Sequence, residues 1–388
     1  MKILMICNTD GALYVFRKPI IKQLIAYGHE VVSITASSRY IQMLNALGVR
    51  TLILDFARHS VSPLKNLVLM WDLWRLVKKV NPEIVHNFTH KPAIYGSIAA
   101  RLCGVKKIFV TVTGLGTLFI NEDLKSRILR KLLVLQYRVA LSLVDAVFFQ
   151  NPDDMDYFIA HKIVSKERAV LTHGSGIDLN EFPPPSEASV SSAKRMLADE
   201  FGIELQGKRV VLFPARGVPE KGFFEFYDAA KTISAKYPGQ YVFLHLGLVD
   251  QASLQHLSLD GIEKYARDSG VHYLGFKDNI GEYMLAADIV CLPSYREGVP
   301  RSLIEALALG KAIVTTDTPG CRETVVDGWN GYLCESRSVK SLVNKISQVD
   351  DELCQLAVER SRQFCEKNFD SKWLVDLTLQ HYLRDGVN

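Results

Sequence analysis

No two of the seven cysteines (Cys7, Cys103, Cys291, Cys321, Cys334, Cys354 and Cys365) form a C-x-x-C pair. Their odd number and scatter argue against a disulfide framework and a structural zinc site, and for a reducing compartment. No run is long and apolar enough to span a bilayer. The opening Met1–Cys7 stretch is too short for the core of a signal peptide. Asn8-Thr9-Asp10-Gly11 breaks it, so a first strand is expected there. A G-x-G-x-x-G motif is missing, which lowers the case for a dinucleotide enzyme. So is any interleaving of aromatic and basic residues or a recognised nucleic-acid motif, and nucleic acid is not expected as a partner.

What is present is an ordinary α/β composition, 48% hydrophobic and 23% charged, in a chain of 388 residues, enough for two domains with proper cores. The net charge of +4 hides an asymmetry: residues 1–180 carry +10 and residues 181–388 carry −6. A basic first half points to an anionic partner, and a phospholipid surface or lipid-linked phosphate fits better than nucleic acid.

The first half alternates strand and helix, which implies a parallel sheet with right-handed crossovers. Lys2–Cys7 reads as a strand, 12–27 as a helix, 30–36 as a strand, 41–47 as a short helix and 50–55 as a strand. A strongly apolar helix over 62–80 and a strand at 84–86 follow, then a small-residue helix over 93–104. Gly11 follows strand one, where such sheets bind ligands; a plain turn is the other reading. His86 and His90 stand at the carboxyl edge after the next central strand. Each could orient a sugar or move a proton, or be a hydrogen-bonded turn residue. Gly114-Leu115-Gly116 ends the strand at 108–113 and lets backbone approach a ligand. The helix over 123–144 carries Lys125, Arg127, Arg130, Lys131 and Arg138 among leucines. It reads either as a basic amphipathic helix on an anionic membrane or as a half-buried helix with a solvated basic face. Asp153-Asp154-Met155-Asp156, which contains a D-x-D pattern, reads as helix-start capping after Asn151-Pro152, not as a metal site, and no metal site is expected.

Pro183-Pro184-Pro185-Ser186 is the most linker-like stretch, so the boundary is placed there, giving domains 1–182 and 183–370. In the second half, Arg216 and Lys221 flank a strand-to-helix turn, a guanidinium and an ammonium suited to a diphosphate. Tyr273-Leu274-Gly275-Phe276 ends a strand where a base could stack or meet backbone. The stretch from Ser294 to Glu323 is the one around which the chain is organised. A buried strand over 287–293 leads into a Gly-Val-Pro turn and a helix from Arg301 to Leu309, with Glu297 in the loop and Glu305 on the helix. Backbone amides at such a turn meet anions, and carboxylates accept from sugar hydroxyls. Two glutamates alone could equally be solvated surface residues.

Arg216, Lys221, Glu297-Gly298-Val299-Pro300, Glu305-Ala306, Tyr273-Leu274-Gly275-Phe276, Leu292-Pro293-Ser294 and Gly328-Trp329-Asn330-Gly331 together resemble the signature of the retaining, nucleotide-sugar-dependent glycosyltransferases of family 4. Arg17-Lys18-Pro19-Ile20-Ile21-Lys22, Gly114-Leu115-Gly116 and Gly310-Lys311-Ala312-Ile313-Val314 resemble a subgroup that adds N-acetylhexosamine to undecaprenyl-diphosphate-linked sugars. The resemblance implies a GT-B fold: two Rossmann-like domains facing across a cleft, with a C-terminal helix (371–388) returning to the first. It implies a UDP-sugar donor, a lipid-linked diphosphate saccharide acceptor, no cofactor or metal, and a cytoplasmic enzyme peripheral at the inner face of the membrane. It assigns Arg216 and Lys221 to the diphosphate, Glu297 to the donor sugar, Glu305 to the ribose, and the amides from Gly298 through Val299 and Pro300 to Arg301 to sugar and phosphate. Many relatives carry two glycines after strand one and His-x-His after the fourth strand; here Gly11 stands alone and His86 is followed by Asn87-Phe88, so His90 is the favoured catalytic histidine. Two rivals accompany this reading: a nucleotide-sugar 2-epimerase of the same architecture, and a catalytically inactive membrane-surface binding protein.

Overall fold

Alternating strands and helices build the whole chain. The computed structural model describes residues 1–56, 62–120, 123–249 and 259–383. The first half runs β1 (Lys2–Cys7), α1 (Asp10–Ala26), β2 (Glu30–Thr35), α2 (Tyr40–Ala46), β3 (Arg50–Ile53), α3 (Pro63–Val80), β4 (Ile84–Phe88), a π-helical turn (Pro92–Gly96), α4 (Ser97–Leu102), β5 (Lys107–Val112), α5 (Leu124–Leu141), β6 (Ala146–Phe149), α6 (Pro152–Ala160) and β7 (Ala169–Leu171). The second runs α7 (Glu187–Phe201), β8 (Arg209–Phe213), α8 (Phe223–Lys236), β9 (Tyr241–Leu246), α9 (Leu259–Ser269), β10 (Val271–Gly275), α10 (Ile280–Ala286), β11 (Ile289–Leu292), α11 (Arg301–Ala308), β12 (Ala312–Thr316) and β13 (Gly331–Cys334). It ends in α12 (Val339–Gln348), α13 (Asp351–Phe369) and α14 (Ser371–Leu383).

The strands pair in parallel in two sheets, ordered β3-β2-β1-β4-β5-β6-β7 and β10-β9-β8-β11-β12-β13. Central strands such as β1, β6 and β11 are apolar on both faces, as parallel strands covered by helices on each side must be. Each order reverses once, between β1 and β4 and between β8 and β11. Loops at the carboxyl ends of such a pair diverge and leave a crevice, where α/β sheets bind ligands.

The chain divides into two units, Met1–Ile177 with Ser371–Asn388, and Asp178–Asp370. The Pro183 run therefore lies inside the second unit, not at its edge. Arg362 donates to the Phe182 carbonyl from α13, tying the segment before the prolines to that unit.

In the first unit, one face of the sheet is covered by α3, the π-turn, α4 and α5, with Leu73, Val77, Ala99, Tyr137 and Ala140 buried against the strands. The other face takes α1 and α14, with Leu13, Leu24, Leu379 and Tyr382. Tyr382 anchors the returning helix: its hydroxyl meets His86 Nδ1 at 2.6 Å and its carbonyl accepts from Lys107 Nζ at 2.8 Å. His86 is not a loop residue, as the sequence suggested. β4 continues to Phe88 because it pairs with β1 and β5 along its full length. His86 is thus buried at mid-strand, with Nε2 2.8 Å from Thr111 Oγ1.

Other departures are local. α1 starts two residues earlier than expected, at Asp10. The small-residue helix expected over 93–104 opens as a π-turn, and at its end Gly96 lies close on Asn87: a Cβ there would stand 2.2 Å from Asn87 Oδ1. The sequence reading lacked α9, α10, β12 and β13; α10 has seven residues and β13 four, too few to show a period. Asn151 caps α6 by accepting from Asp154 N at 2.8 Å, and its amide donates to Asp154 Oδ2 at 3.2 Å. Among the described residues no helix is long and apolar enough to cross a membrane.

Removing the hydroxyl of Tyr382 strips His86 of one of its two ring partners inside the core. Tyr382→Phe is expected to lower stability by about 1–3 kcal/mol, the cost of an unsatisfied buried polar group. Urea unfolding followed on the first unit checks this; an unchanged midpoint would show that the contact carries nothing.

Candidate functional site

In the second unit the reversal between β8 and β11 sets two loops side by side. The loop after β8 carries Arg216 and Lys221; the loop after β11 carries Glu297 and leads through Gly298, Val299 and Pro300 into α11. They are joined by the Tyr295 amide donating to the Glu220 carbonyl (2.9 Å) and by an ion pair between Lys221 Nζ and Glu297 Oε1. Ser294 Oγ donates to the same carboxylate oxygen at 2.7 Å. Arg216, on the loop after β8, is exposed. One turn into α11, Glu305 accepts from Arg301 Nε at 2.9 Å. Glu305 is only 8% exposed; burial pushes its carboxyl above the usual range, Arg301 pulls it back, and Glu181 adds a smaller upward push. Both signature glutamates are thus held by cations of the site. Arg216, Lys221 and Arg301 bring three cations to the same two loops and helix as Glu297 and Glu305.

Close packing fixes these loops. Gly222, with φ of 77°, lies so near the loop after β11 that a Cβ would stand 2.2 Å from the Pro293 carbonyl oxygen. On the far side, Gly320 (φ 83°) packs on the Glu297 and Gly298 carbonyls, where a Cβ would come within 2.5 Å of both. The Glu297 amide donates to the Pro319 carbonyl at 3.0 Å. Thr318 donates to the Ser294 carbonyl at 3.2 Å, and Thr316 donates to the same oxygen. Val299 and Pro300 are buried. Pro300 has no N–H, so the amides at the head of α11, which face anions best, begin at Arg301. Gly275 and Phe276 close β10, two strands from β8, so about 10 Å away at about 4.8 Å per strand. Phe276 is 46% exposed there.

His245 was not singled out from the sequence. Fully buried at the end of β9, it meets Tyr227 OH with Nδ1 (2.8 Å) and the Ala215 carbonyl with Nε2 (3.0 Å), holding the residue before Arg216. Burial lowers its pKa to about 4. The signal available was its place two residues before Gly247, at the carboxyl end of a strand.

In the first unit the reversal lies between β1 and β4. Gly11 sits in the first turn of α1 under the Tyr40 ring, where a Cβ would meet ring carbons at 3.1 Å. The preceding Asp10 is buried and accepts from the amides of Gly11 (2.8 Å) and Ser38 (2.9 Å). His90 follows β4. Its Nδ1 lies 2.5 Å from the hydroxyl of Tyr137, a buried residue of α5. Gly116, φ 71°, sits on the Nε2 side: a Cβ there would be 3.4 Å from that nitrogen. Burial lowers the His90 pKa from 6.5 to about 4, so the ring is neutral at ordinary pH.

Comparison with known proteins follows the same division. Residues 2–151 match the model described as glycosyl transferase 4-like, and residues 198–364 the model described as glycosyl transferases group 1. A Campylobacter jejuni protein named N,N'-diacetylbacillosaminyl-diphospho-undecaprenol alpha-1,3-N-acetylgalactosaminyltransferase is 29% identical over 99% of each chain. An Escherichia coli UDP-Gal:alpha-D-GlcNAc-diphosphoundecaprenol alpha-1,3-galactosyltransferase is 25% identical over 88% of this chain and 85% of its own. Among solved structures, Anabaena Alr3699/HepE in complex with UDP and glucose aligns with a TM-score of 0.77 at 19% identity, over 98% of this chain and 99% of its own. The two-sheet architecture is that of the GT-B fold.

The Tyr137 hydroxyl holds His90 at Nδ1 and leaves Nε2 on the Gly116 side. Tyr137→Phe, which frees the ring, is expected to lower kcat by ~10-fold or more with little change in KM if His90 positions the acceptor, the scale of misplacing a positioning group. The wild-type rate should show no histidine step between pH 6.5 and 5. His90 and His245 stay neutral until about pH 4 when folded but protonate near 6.5 when unfolded. The stability from burying them neutral is therefore complete above about 6.5 and is lost as pH falls toward 4. A histidine limb near 6.5 in the rate, or an unfolding midpoint flat across that window, would contradict the assignment.

Proposed function

Because this chain belongs to the group 1, 4-like glycosyltransferases, we propose that it moves a sugar, N-acetylhexosamine, from a UDP-sugar to a lipid-diphosphate-linked saccharide in the assembly of bacterial surface glycans or glycoproteins. The observation that carries the donor half of this reading is the meeting of Arg216, Lys221, Glu297, Arg301 and Glu305 at one strand-order reversal, beside the N-terminus of α11. The acceptor half rests on the likeness to the two undecaprenyl-diphosphate transferases, one of them along the whole chain.

The proposed chemistry is leaving-group stabilisation. Breaking the bond between the anomeric carbon and phosphate leaves negative charge on the diphosphate. Arg216, Lys221 and the amides at the head of α11 meet that charge in a preorganised, partly buried setting. Glu297, held by Lys221 and Ser294, faces the donor sugar; Glu305 faces the ribose; Gly275 and Phe276 take the base. With the departing phosphate receiving the acceptor's proton on the same face, the configuration at the anomeric carbon is retained. The reaction needs no resident metal or cofactor, since the cations of the crevice supply the counter-charge. The acceptor's lipid places the work at the cytoplasmic face of the membrane, with the enzyme peripheral to it. Neither the 2-epimerase nor the inactive-protein reading gains from the comparisons, whose named relatives are transferases.

UDP-sugars offered with a short lipid-diphosphate-saccharide and read by mass test the proposal. A product heavier by one hexosamine is expected, with UDP released only when the acceptor is present. Arg216→Ala and Lys221→Ala should each cut turnover by ~10²-fold or more. Near-normal turnover in both variants overturns the mechanism, and UDP release with sugar isomerisation but no acceptor would favour the epimerase.

A further inference from the structure

The outward face of α5 is apolar as well as basic. Leu124, Ile128, Leu132, Leu135 and Val139 are each 51–73% exposed. Their spacing puts them in one stripe about 80° wide at about 100° per residue. Exposed Arg127, Lys131 and Arg138 border one edge of the stripe and Lys125 the other, and the helix has no acidic residue. The opposite side of the helix is the one buried, through Ser126, Tyr137, Ala140 and Leu141.

α3 repeats the pattern. Leu64, Leu67, Val68 and Trp71 are 57–75% exposed on one side, with Lys65, Arg75, Lys78 and Lys79 against a single acidic residue, Asp72. Both helices bury their inner sides in the same core, on either side of the 92–102 segment, so both stripes turn away from the same face of the sheet. Nine of the 22 large apolar side chains exposed among the described residues belong to these two helices. Scattered exposed leucines mean nothing; a concentration rimmed by charge marks an interaction surface.

We infer that this surface docks on an anionic bilayer, with the leucine and tryptophan stripes entering the boundary between headgroups and acyl chains and the flanking cations meeting lipid phosphates. Charge decides the partner: a second copy of the chain would set one basic face against another, whereas an anionic leaflet complements it. The inference rests on the proposed function only for why a bilayer should be the partner, the acceptor being lipid-linked. It also gives that site a depth. Tyr137, on the inner side of α5, holds His90, so the histidine lies about one helix diameter, ~10 Å, beneath the docking surface. That is the layer in which the diphosphate of a membrane-anchored acceptor travels.

Co-sedimentation with phosphatidylethanolamine–phosphatidylglycerol vesicles tests it, at low salt and at about 0.5 M salt, where charges beyond about 4 Å are screened. The wild type should bind in both. Replacing Ile128, Leu132 and Leu135 together by Ser should lower binding by ~10²-fold or more in both, because three exposed side chains cost the fold little but supply most of the insertion. Replacing Lys125, Arg127 and Lys131 by Ala should weaken binding at low salt only. Unchanged binding of the serine variant overturns the inference. So does loss of wild-type binding at high salt, or stripe-dependent self-association without vesicle binding. Transfer to a water-soluble, short-prenyl acceptor should be the same in the serine variant as in the wild type. If neither transfers sugar while the wild type still binds vesicles, the docking surface stands and the transferase reading falls by itself.

Discussion

Folding brings Lys221 and Glu297 together across 76 residues of chain, and that ion pair joins the two loops on which the proposed donor site depends. It is partly buried, with Lys221 25% and Glu297 13% exposed at the side chain. Removing either partner would leave the other charged in a setting that screens it poorly. The pair also sets what the crevice can hold. With both signature glutamates engaged by cations, the carboxylates are oriented and their charge is offset beside the amides at the head of α11, where a diphosphate would sit.

The rest of the second unit serves that geometry through close approach rather than through additional charge. Glycines at 222 and 320 bring backbone against backbone on both sides of the loop carrying Glu297. Gly247, where a Cβ would stand 2.0 Å from the Ala215 carbonyl oxygen, does the same for the loop carrying Arg216. His245 and Tyr227 finish the clamp from inside the core. A site built this way is preorganised: its charged groups are placed by the fold itself, the condition under which electrostatic catalysis gains most.

The doubly wound class and most element positions were legible in the sequence, because apolar strands, glycine stops and helical periodicity are local signals. Arg216, Lys221, Glu297 and Glu305 were legible as a set because their spacing resembles a family signature. Their partners were not. Nothing local in the sequence says that Lys221 pairs with Glu297 or Arg301 with Glu305, or that His245 holds the loop before Arg216; those contacts exist only once the strand order is known. His86 was misread for the same reason. A histidine three residues into a possible strand looks like a loop residue until flanking strands pair along its whole length and Tyr382 arrives from the far end of the chain. The basic helix at 124–141 was visible as charge, but the sequence does not say which leucines face the core, so its apolar outer stripe was hidden.

The central claim is that one crevice of the second unit binds the diphosphate and ribose of a UDP-sugar. Titration calorimetry of UDP against the wild type, Lys221→Ala and Glu305→Ala tests it without requiring an acceptor or a membrane. The account predicts saturable one-site binding to the wild type and at least ~10-fold weaker binding to each variant, the loss of one charge-assisted contact apiece. Equal affinity in all three proteins, or no binding to the wild type, would contradict it.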